Sequence, residues 1–387
     1  MTIARSIEEN VRDRYAEAAR AVEPALCCPV DYSPALLEAI PAEVLEVDYG
    51  CGDPSKWLQS GETVLDLGSG SGKICFIAAQ VVGESGRVIG VDFNPPMLAL
   101  SRRAKPAFAA KVGYDNVEFL SGRIQDLALN LDALGSWLAA HPVADPEAFL
   151  AMQDQARRLS AEQPLIANDS IDVIVSSCVL NLVPAGEKPA MFREMHRVLR
   201  RGGRCVISDI VSDEPVPSHL QADQKLWSGC VSGAFEEAAF LRAFEDAGLY
   251  GVEIVERRSE PWRVVEGIEF RSVTVRAFKG KEGPCLERNQ AVIYKGPFKS
   301  VVDDDGHSFH RGERTAVCDK TFHICTAPPY AASFEAVRPG VEVPLEEALP
   351  FDCSRRDPRR DPRQSKGAVR SAGDAPSNSD CDDPGCC

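Results

Sequence analysis

The chain has 387 residues, 44% hydrophobic and 26% charged, which leaves room for two or three folded domains and excludes a fibrous or wholly disordered protein. Forty-three Lys and Arg against 58 Asp and Glu give a net charge of −15, so the surface repels phosphate backbones and anionic lipid, and nucleic acid is not an expected partner. No apolar run reaches the ~20 residues of a bilayer span and the first 20 residues lack a secretory core, so a cytoplasmic chain without a membrane partner is expected. In that setting 14 cysteines point to soft-ion or redox chemistry rather than to disulfides.

In chain order, residues 1–62 read as an N-terminal extension: a helical stretch, the pair Cys27-Cys28, and a loop ending in Tyr49-Gly50-Cys51-Gly52. Over 63–280, short β-branched runs alternate with amphipathic helical runs, the pattern of a parallel sheet covered by helices. Seven strands are predicted: 63–68, 87–93, 116–120, 171–178, 203–210, 251–258 and 271–278. Helices are predicted over 95–110, 187–201 and 235–247, with Gly202-Gly203 and Gly248 after the last two. The insertion 127–168 reads as a lid or wall of a site. Residues 281–352 lose the helical pattern, and QAVIYKG, KSVV, ERTAVC and TFHICTA predict a small β-rich domain. From Cys353 to Cys387 the composition is polar and is read as a disordered tail ending in Cys386-Cys387.

The best-placed motif is VLDLGSGSG at 64–72, on a strand end and helix start. Gly68, Gly70 and Gly72 permit a sharp turn and close approach of a ligand, and the helix supplies unpaired N–H donors. A dinucleotide fingerprint counted from Gly68 would need glycine where Lys73 stands, which argues against NAD. Asp92 ends the second strand 20 residues beyond Gly72, where a carboxylate accepts from ribose hydroxyls. Together these residues resemble the S-adenosylmethionine-dependent methyltransferases. That resemblance implies S-adenosylmethionine as cofactor, with Asp66 on the methionine amine and Arg123 and Ile124 on the adenine side.

Four cysteines carry the acceptor. Cys51, Cys75, Cys178 and Cys230 sit in YGCG, DLGSGSGKICF, SSCVLNLV and LWSGCVSGAF, and with VISDIVSD these segments resemble the arsenite methyltransferase family from about residue 49 to 280. The resemblance implies an α/β fold with a seven-stranded Rossmann-like methyltransferase sheet; the long 127–168 insertion and the small β-rich C-terminal domain depart from the family's pattern. It implies methyl transfer to trivalent arsenic, in detoxification or organoarsenical biosynthesis, with Cys178 and Cys230 as arsenic ligands. Cys51 and Cys75 would complete thiol exchange or form a disulfide in turnover. A small arsenical substrate, a thioredoxin- or glutathione-type reductant and a monomeric chain are expected, with no catalytic metal ion.

The chemistry stands on the residues as well. Thiolates suit a soft centre such as trivalent arsenic. Three-coordinate arsenic keeps a lone pair that can attack a sulfonium methyl, and it carries no proton, so no general base is needed and no His is assigned to catalysis. Each transfer leaves arsenic pentavalent, so thiols must return two electrons. Cys75, in the first turn of a helix, is expected to have its thiolate favoured by the dipole. Cys285, Cys318, His323 and Cys325 read as scattered thiols rather than a zinc site, there being no Cys-x-x-Cys among them. A methyltransferase for a small organic acceptor, and a non-catalytic soft-metal binder, remain as the other readings.

Overall fold

The computed structural model describes residues 6–354, except 22, 24–25, 27–29 and 48, together with 359–366. The pairs Cys27-Cys28 and Cys386-Cys387 lie outside the described residues. The chain divides into two compact units, Met1–Gly280 and Lys281–Cys387.

The first unit is built on β1 (Thr63–Leu67), β2 (Arg87–Asp92), β3 (Val117–Ser121), β4 (Ile171–Ser177), β5 (Leu199–Ser212), β6 (Phe235–Glu236), β7 (Tyr250–Arg257), β8 (Arg263–Val265) and β9 (Ile268–Phe278). The main sheet runs β3-β2-β1-β4-β5-β9-β7, with β6 on β5 and β8 on β9. Strands β1 to β5 are parallel, with Leu65 beside Ile89 and Ile174 beside Cys205. Strand β9 is antiparallel to both β5 and β7. The parallel sheet read from the sequence therefore has an antiparallel edge. Only residues 258–267 separate β7 from β9, too few for a helical crossover.

The helices of this unit are α1 (Ile7–Ala18), α2 (Pro34–Leu37), α3 (Ala42–Leu45), α4 (Lys73–Val82), α5 (Pro95–Val112), α6 (Leu131–Ala140), α7 (Pro146–Glu162), α8 (Lys188–Val198), α9 (Ser218–Gln221), α10 (Gln224–Trp227) and α11 (Glu237–Asp246). Helix α1 starts on a capping box, Ser6 accepting from the Glu9 N–H while the Glu9 carboxylate accepts from the Ser6 N–H at 2.8 Å. Helix α5 starts on Asn94 followed by two prolines and stops at Gly113. One buried cluster gathers Leu65, Leu67, Met191, Phe240 and Phe244, and a second gathers Val64, Phe76, Val88, Phe108 and Val206. Leu199–Arg201, predicted as helix end, opens β5 instead, and Phe235–Glu236 forms β6 ahead of α11, whose start is capped by the Glu236 side chain.

The second unit holds β10 (Leu286–Glu287), β11 (Ala291–Tyr294), β12 (Ser300–Val302), β13 (Ser308–His310), β14 (Arg314–Ala316), α12 (Asp319–Thr326), β15 (Phe334–Val337), β16 (Leu349–Pro350) and α13 (Pro362–Lys366). Strand β11 pairs with β14 and β15 over a core of Val292, Tyr294, Phe309, Phe322 and Phe334. TFHICTA, read as a strand, lies largely in α12. Cys318 caps that helix, and the helical period buries Thr321, Phe322 and Cys325 while leaving His323 exposed. The tail is also ordered further than its polarity implies. Arg359 bridges to Thr315, and the guanidinium of Arg360, 3% exposed, pairs with Glu287 at 2.7 Å and donates to the Gln290 carbonyl. A buried, paired arginine anchors a segment that apolar counting misses.

Candidate active site

The cofactor end is set by the turn between β1 and α4. Gly68 and Ser69 donate to the Val91 carbonyl at 2.8 and 3.1 Å, closing the loop onto β2. Gly68 has φ +71°, and a Cβ there would lie 2.4 Å from the Val179 side chain, so glycine alone lets the segment after β4 rest on this loop. Gly70 has φ +51° with open space where a Cβ would stand, and its N–H donates to Asp92 Oδ2 at 2.8 Å. The other Asp92 oxygen accepts from the Asn94 N–H at 2.8 Å. Burial raises the Asp92 pKa, against these backbone donors, which lower it.

A cavity opens over this turn. Asp66, Gly68, Gly70 and Asp92 line it from the sheet side, Ile124 and Gln125 from the loop after β3, and Cys178, Val179 and Leu182 from the loop after β4. Ser69 also lines it, and its buried hydroxyl has no partner among the described residues. An unmade polar contact beside an open glycine and a buried carboxylate fits a hydroxyl-rich nucleoside. Glu8, Val11 and Tyr15 of α1 complete the wall, so the N-terminal extension is part of the site. Sequence reading missed them, although the capping box and Tyr15 on one amphipathic helix were visible.

Two expected cofactor contacts fall elsewhere. Arg123 does not line the cavity. Its guanidinium is ion-paired with Glu8 and, at 3.5 Å, with Glu187. Gly72 caps α4 with φ +91°, under Phe119, whose ring would lie 2.6 Å from a Cβ there. Its glycine serves packing. The insertion 127–168, read as a lid or wall, contributes nothing to the lining. Its helices α6 and α7 pack on each other, and Leu165 and Ile166 enter the core.

Three of the four cysteines come together. Cys51, Cys178 and Cys230 share one buried cluster with Ile210, Val216 and Phe270. The sulfur atoms of Cys51 and Cys178 and a carboxylate oxygen of Asp209 lie within 4.8 Å of one another. Cys230 Sγ donates to the Cys178 carbonyl at 3.0 Å. Each cysteine arrives on its own loop. The Cys51 loop is pinned by the Ser177 hydroxyl, which accepts from the Cys51 N–H at 3.1 Å, and by Ser272, which donates to the Cys51 carbonyl at 2.7 Å. Cys178 and Cys230 both hold left-handed backbone, φ +64° and +59°, a costly conformation for a residue with a Cβ.

Asp209 and Asn181 lock these loops. Asp209 accepts from the N–H of Leu180 at 2.8 Å and Ile210 at 2.7 Å and from the Asn181 amide at 2.8 Å, while that amide also donates to the Ile210 carbonyl. Burial lifts the Asp209 pKa to about 6 against these donors. A charged residue inside the apolar run CVISDIV was the available signal for it. Arg14 of α1 donates to Ser228 Oγ and the Lys225 carbonyl, both at 2.9 Å, tying the N-terminal helix to the Cys230 loop.

The Cys51 and Cys178 thiols are held protonated. The Cys178 pKa is pushed well up by hydrogen bonding to Cys230 and Cys51 and by burial, and burial raises that of Cys51. Cys75 stands apart from the three, in the cluster with Ile74 and Phe76, where its thiol donates to Asp66 Oδ2 at 3.2 Å. Burial and the Asp66 carboxylate push its pKa well above the usual thiol range. The expectation of a dipole-favoured Cys75 thiolate fails, because burial, and after it the adjacent Asp66 carboxylate, outweigh a helix terminus.

A parallel sheet with a glycine turn, a second-strand aspartate and a cavity at its carboxyl edge defines an S-adenosylmethionine-dependent methyltransferase, and a methyltransferase-domain family matches residues 58–163 and 151–248. A domain family of unknown function matches residues 281–370. The arsenite methyltransferase of Aquipseudomonas alcaligenes is 33% identical over 327 residues, 80% of this chain and 84% of that protein. The mouse arsenite methyltransferase is 28% identical over 332 residues, 83% and 77% of the two chains. The crystal structure of an arsenic(III) S-adenosylmethionine methyltransferase from Chlamydomonas reinhardtii matches with a TM-score of 0.53 and 27% identity, covering 86% of this chain and 100% of that one. The chain belongs to the arsenite methyltransferase family.

Proposed function

We propose that this protein transfers methyl groups from S-adenosylmethionine to trivalent arsenic held by Cys178 and Cys230, with Cys51 as the third thiol. The observation that carries the reading is the meeting of three buried cysteines from three loops at the sheet's carboxyl edge, with Cys178 also in the cavity wall. S-adenosylmethionine, when bound, supplies an electrophilic methyl group. Gly68, Gly70, Ser69 and Asp92 would hold the nucleoside, Asp66 the amino-acid end, and Ile124 the base.

Loading of arsenite needs no ionised thiol: each As–S bond formed takes one proton and one hydroxide off as water. The raised thiol pKa values of Cys51 and Cys178 are compatible with that exchange. Fixed loops hold the arsenic lone pair toward the cavity, and positioning of this kind contributes up to about 7–11 kcal/mol. Transfer takes arsenic from the trivalent to the pentavalent state. A thioredoxin- or glutathione-type thiol, or the close pair Cys51 and Cys178, returns two electrons as a disulfide forms. Cys75 we read as part of the cofactor cradle, beside Asp66. Residues 63–280 are the catalytic domain and 1–62 close it. We read the role as arsenic detoxification or organoarsenical biosynthesis in the cytoplasm by a monomer. Among the described residues no helix is long and apolar enough to cross a membrane.

Production of S-adenosylhomocysteine with a dithiol present tests the reading. It is expected to depend on added arsenite. Equal turnover without arsenic, on a small organic acceptor, would replace it.

A further inference from the structure

A second group of cysteines lies in the second unit. The sulfur atoms of Cys285, Cys318 and Cys353 are within 4.8 Å of one another, and all three are free thiols. They are 33 and 35 residues apart in sequence, and the fold assembles them. The β10–β16 pair sets Leu286 beside Pro350, and the Phe351 N–H donates to the Cys285 carbonyl at 2.8 Å, which carries the chain on to Cys353. Cys318 is fixed as the cap of α12, its sulfur accepting from the Thr321 N–H at 3.4 Å. The Cys353 thiol is in hydrogen-bond contact with both Cys285 and Cys318.

Cys318 is buried and the other two are half-buried, and Cys318 and Cys353 line a pocket with Thr321 and Phe351. Among the described residues no fourth His, Cys, Asp or Glu joins the three sulfurs. His307, in the same pocket, is paired with Asp303 at 2.8 Å. That distinguishes the occupant. Structural zinc is held by four protein ligands, so three thiols leave it one short. Trivalent arsenic is satisfied by three, its lone pair filling the remaining position, and thiols are the donors a soft centre selects.

We propose that Cys285, Cys318 and Cys353 form a second trivalent-arsenic site, outside the methyl-transfer centre, in the unit matched by the family of unknown function. Arsenous acid reacts there with three thiols, forming three As–S bonds and releasing three water molecules, with no change of oxidation state. The choice of arsenic over other soft ions rests on the arsenite methyltransferase reading. The site holds the unmethylated substrate, and takes no part in methyl transfer.

The test uses the full chain, reduced, with sodium arsenite as probe. In a Cys178→Ser/Cys230→Ser background, arsenic retained after gel filtration is measured with and without Cys285→Ser, Cys318→Ser and Cys353→Ser. Retention is expected to fall by one equivalent per chain, and the half-buried Cys353→Ser alone, which spares the α12 cap, is expected to lower it too. X-ray absorption on the background protein, loaded with one equivalent, is expected to show arsenic bound by three sulfurs. Unchanged retention overturns the proposal, as does zinc retained by the wild type, lost on the same substitutions, with arsenite retention unaffected. Because the background lacks the catalytic thiols, failure of methyl transfer in the wild type sinks the enzymatic reading alone.

Discussion

Gly233 is one of the points where the two ligand loops touch. A Cβ on it would stand 2.1 Å from the Asn181 carbonyl oxygen and 3.0 Å from the Trp227 ring, against a closest tolerable approach of 3.0 Å. Gly233→Ala therefore forces the Cys230 loop and the segment after Cys178 apart by at least about 0.9 Å (3.0 less 2.1). The obstacle is backbone, which cannot rotate aside as a side chain does. Overpacking of this sort costs about 1–3 kcal/mol of stability. A displacement near 1 Å at a reacting centre costs on the order of 100-fold in rate. The expected result is methylation of arsenite reduced about 100-fold, with S-adenosylmethionine affinity kept, since Gly233 lies outside the cofactor cavity. Gly135→Ala in α6, where a Cβ meets nothing within 4 Å, serves as control, with unchanged activity and a stability gain of up to about 1 kcal/mol. Calorimetric binding, arsenic speciation and urea unfolding read the three quantities. Normal methylation by folded Gly233→Ala would refute the claim that loop spacing positions arsenic.

Asp92→Asn puts an amide N–H2 where a carboxylate oxygen now accepts a backbone N–H, and calorimetry is expected to show S-adenosylmethionine affinity down at least ~10-fold. Asp209 has its pKa raised by burial from 3.8 to about 6, so the native state binds the proton more tightly than the unfolded chain. The stability it contributes is complete below pH 3.8 and lost as pH rises through about 6, about 3 kcal/mol over that window, and urea unfolding of Asp209→Asn is expected to lack this slope. Arg360→Ala takes the cation from Glu287, which keeps the Asn289 N–H, and is expected to destabilise the second unit by about 1–3 kcal/mol, read as greater protease sensitivity of residues 281–366.

What the sequence made legible was what local chemistry dictates. β-Branched runs placed β1 to β5, β7 and β9, and the glycine spacing with Asp92 placed the cofactor turn, because these signals act within a few residues. Long-range consequences were hidden. Strand β9 inserts between β5 and β7 because the connection is short, which no single strand reveals. The run TFHICTA has β-branched content, yet Cys318 as a cap and burial of Phe322 and Cys325 make it helical. Cys75 was grouped with the other site cysteines by its segment, but Asp66 claims its thiol. Arg123 was read toward the base and is paired instead with Glu8, which lies 115 residues earlier. The anchoring of residues 359–366 rests on the buried Arg360 and on backbone bonds to Arg314 and Gly340, in a segment of polar composition.

The most direct measurement is transfer of labelled methyl from S-adenosylmethionine to arsenite, with arsenic species separated, for wild type, Cys178→Ser and Cys230→Ser. Labelled arsenicals from the wild type alone, with S-adenosylmethionine binding equal in all three, is the expected result. Wild-type yields of methylated arsenic from either serine variant would contradict the assignment of these thiols as the arsenic ligands.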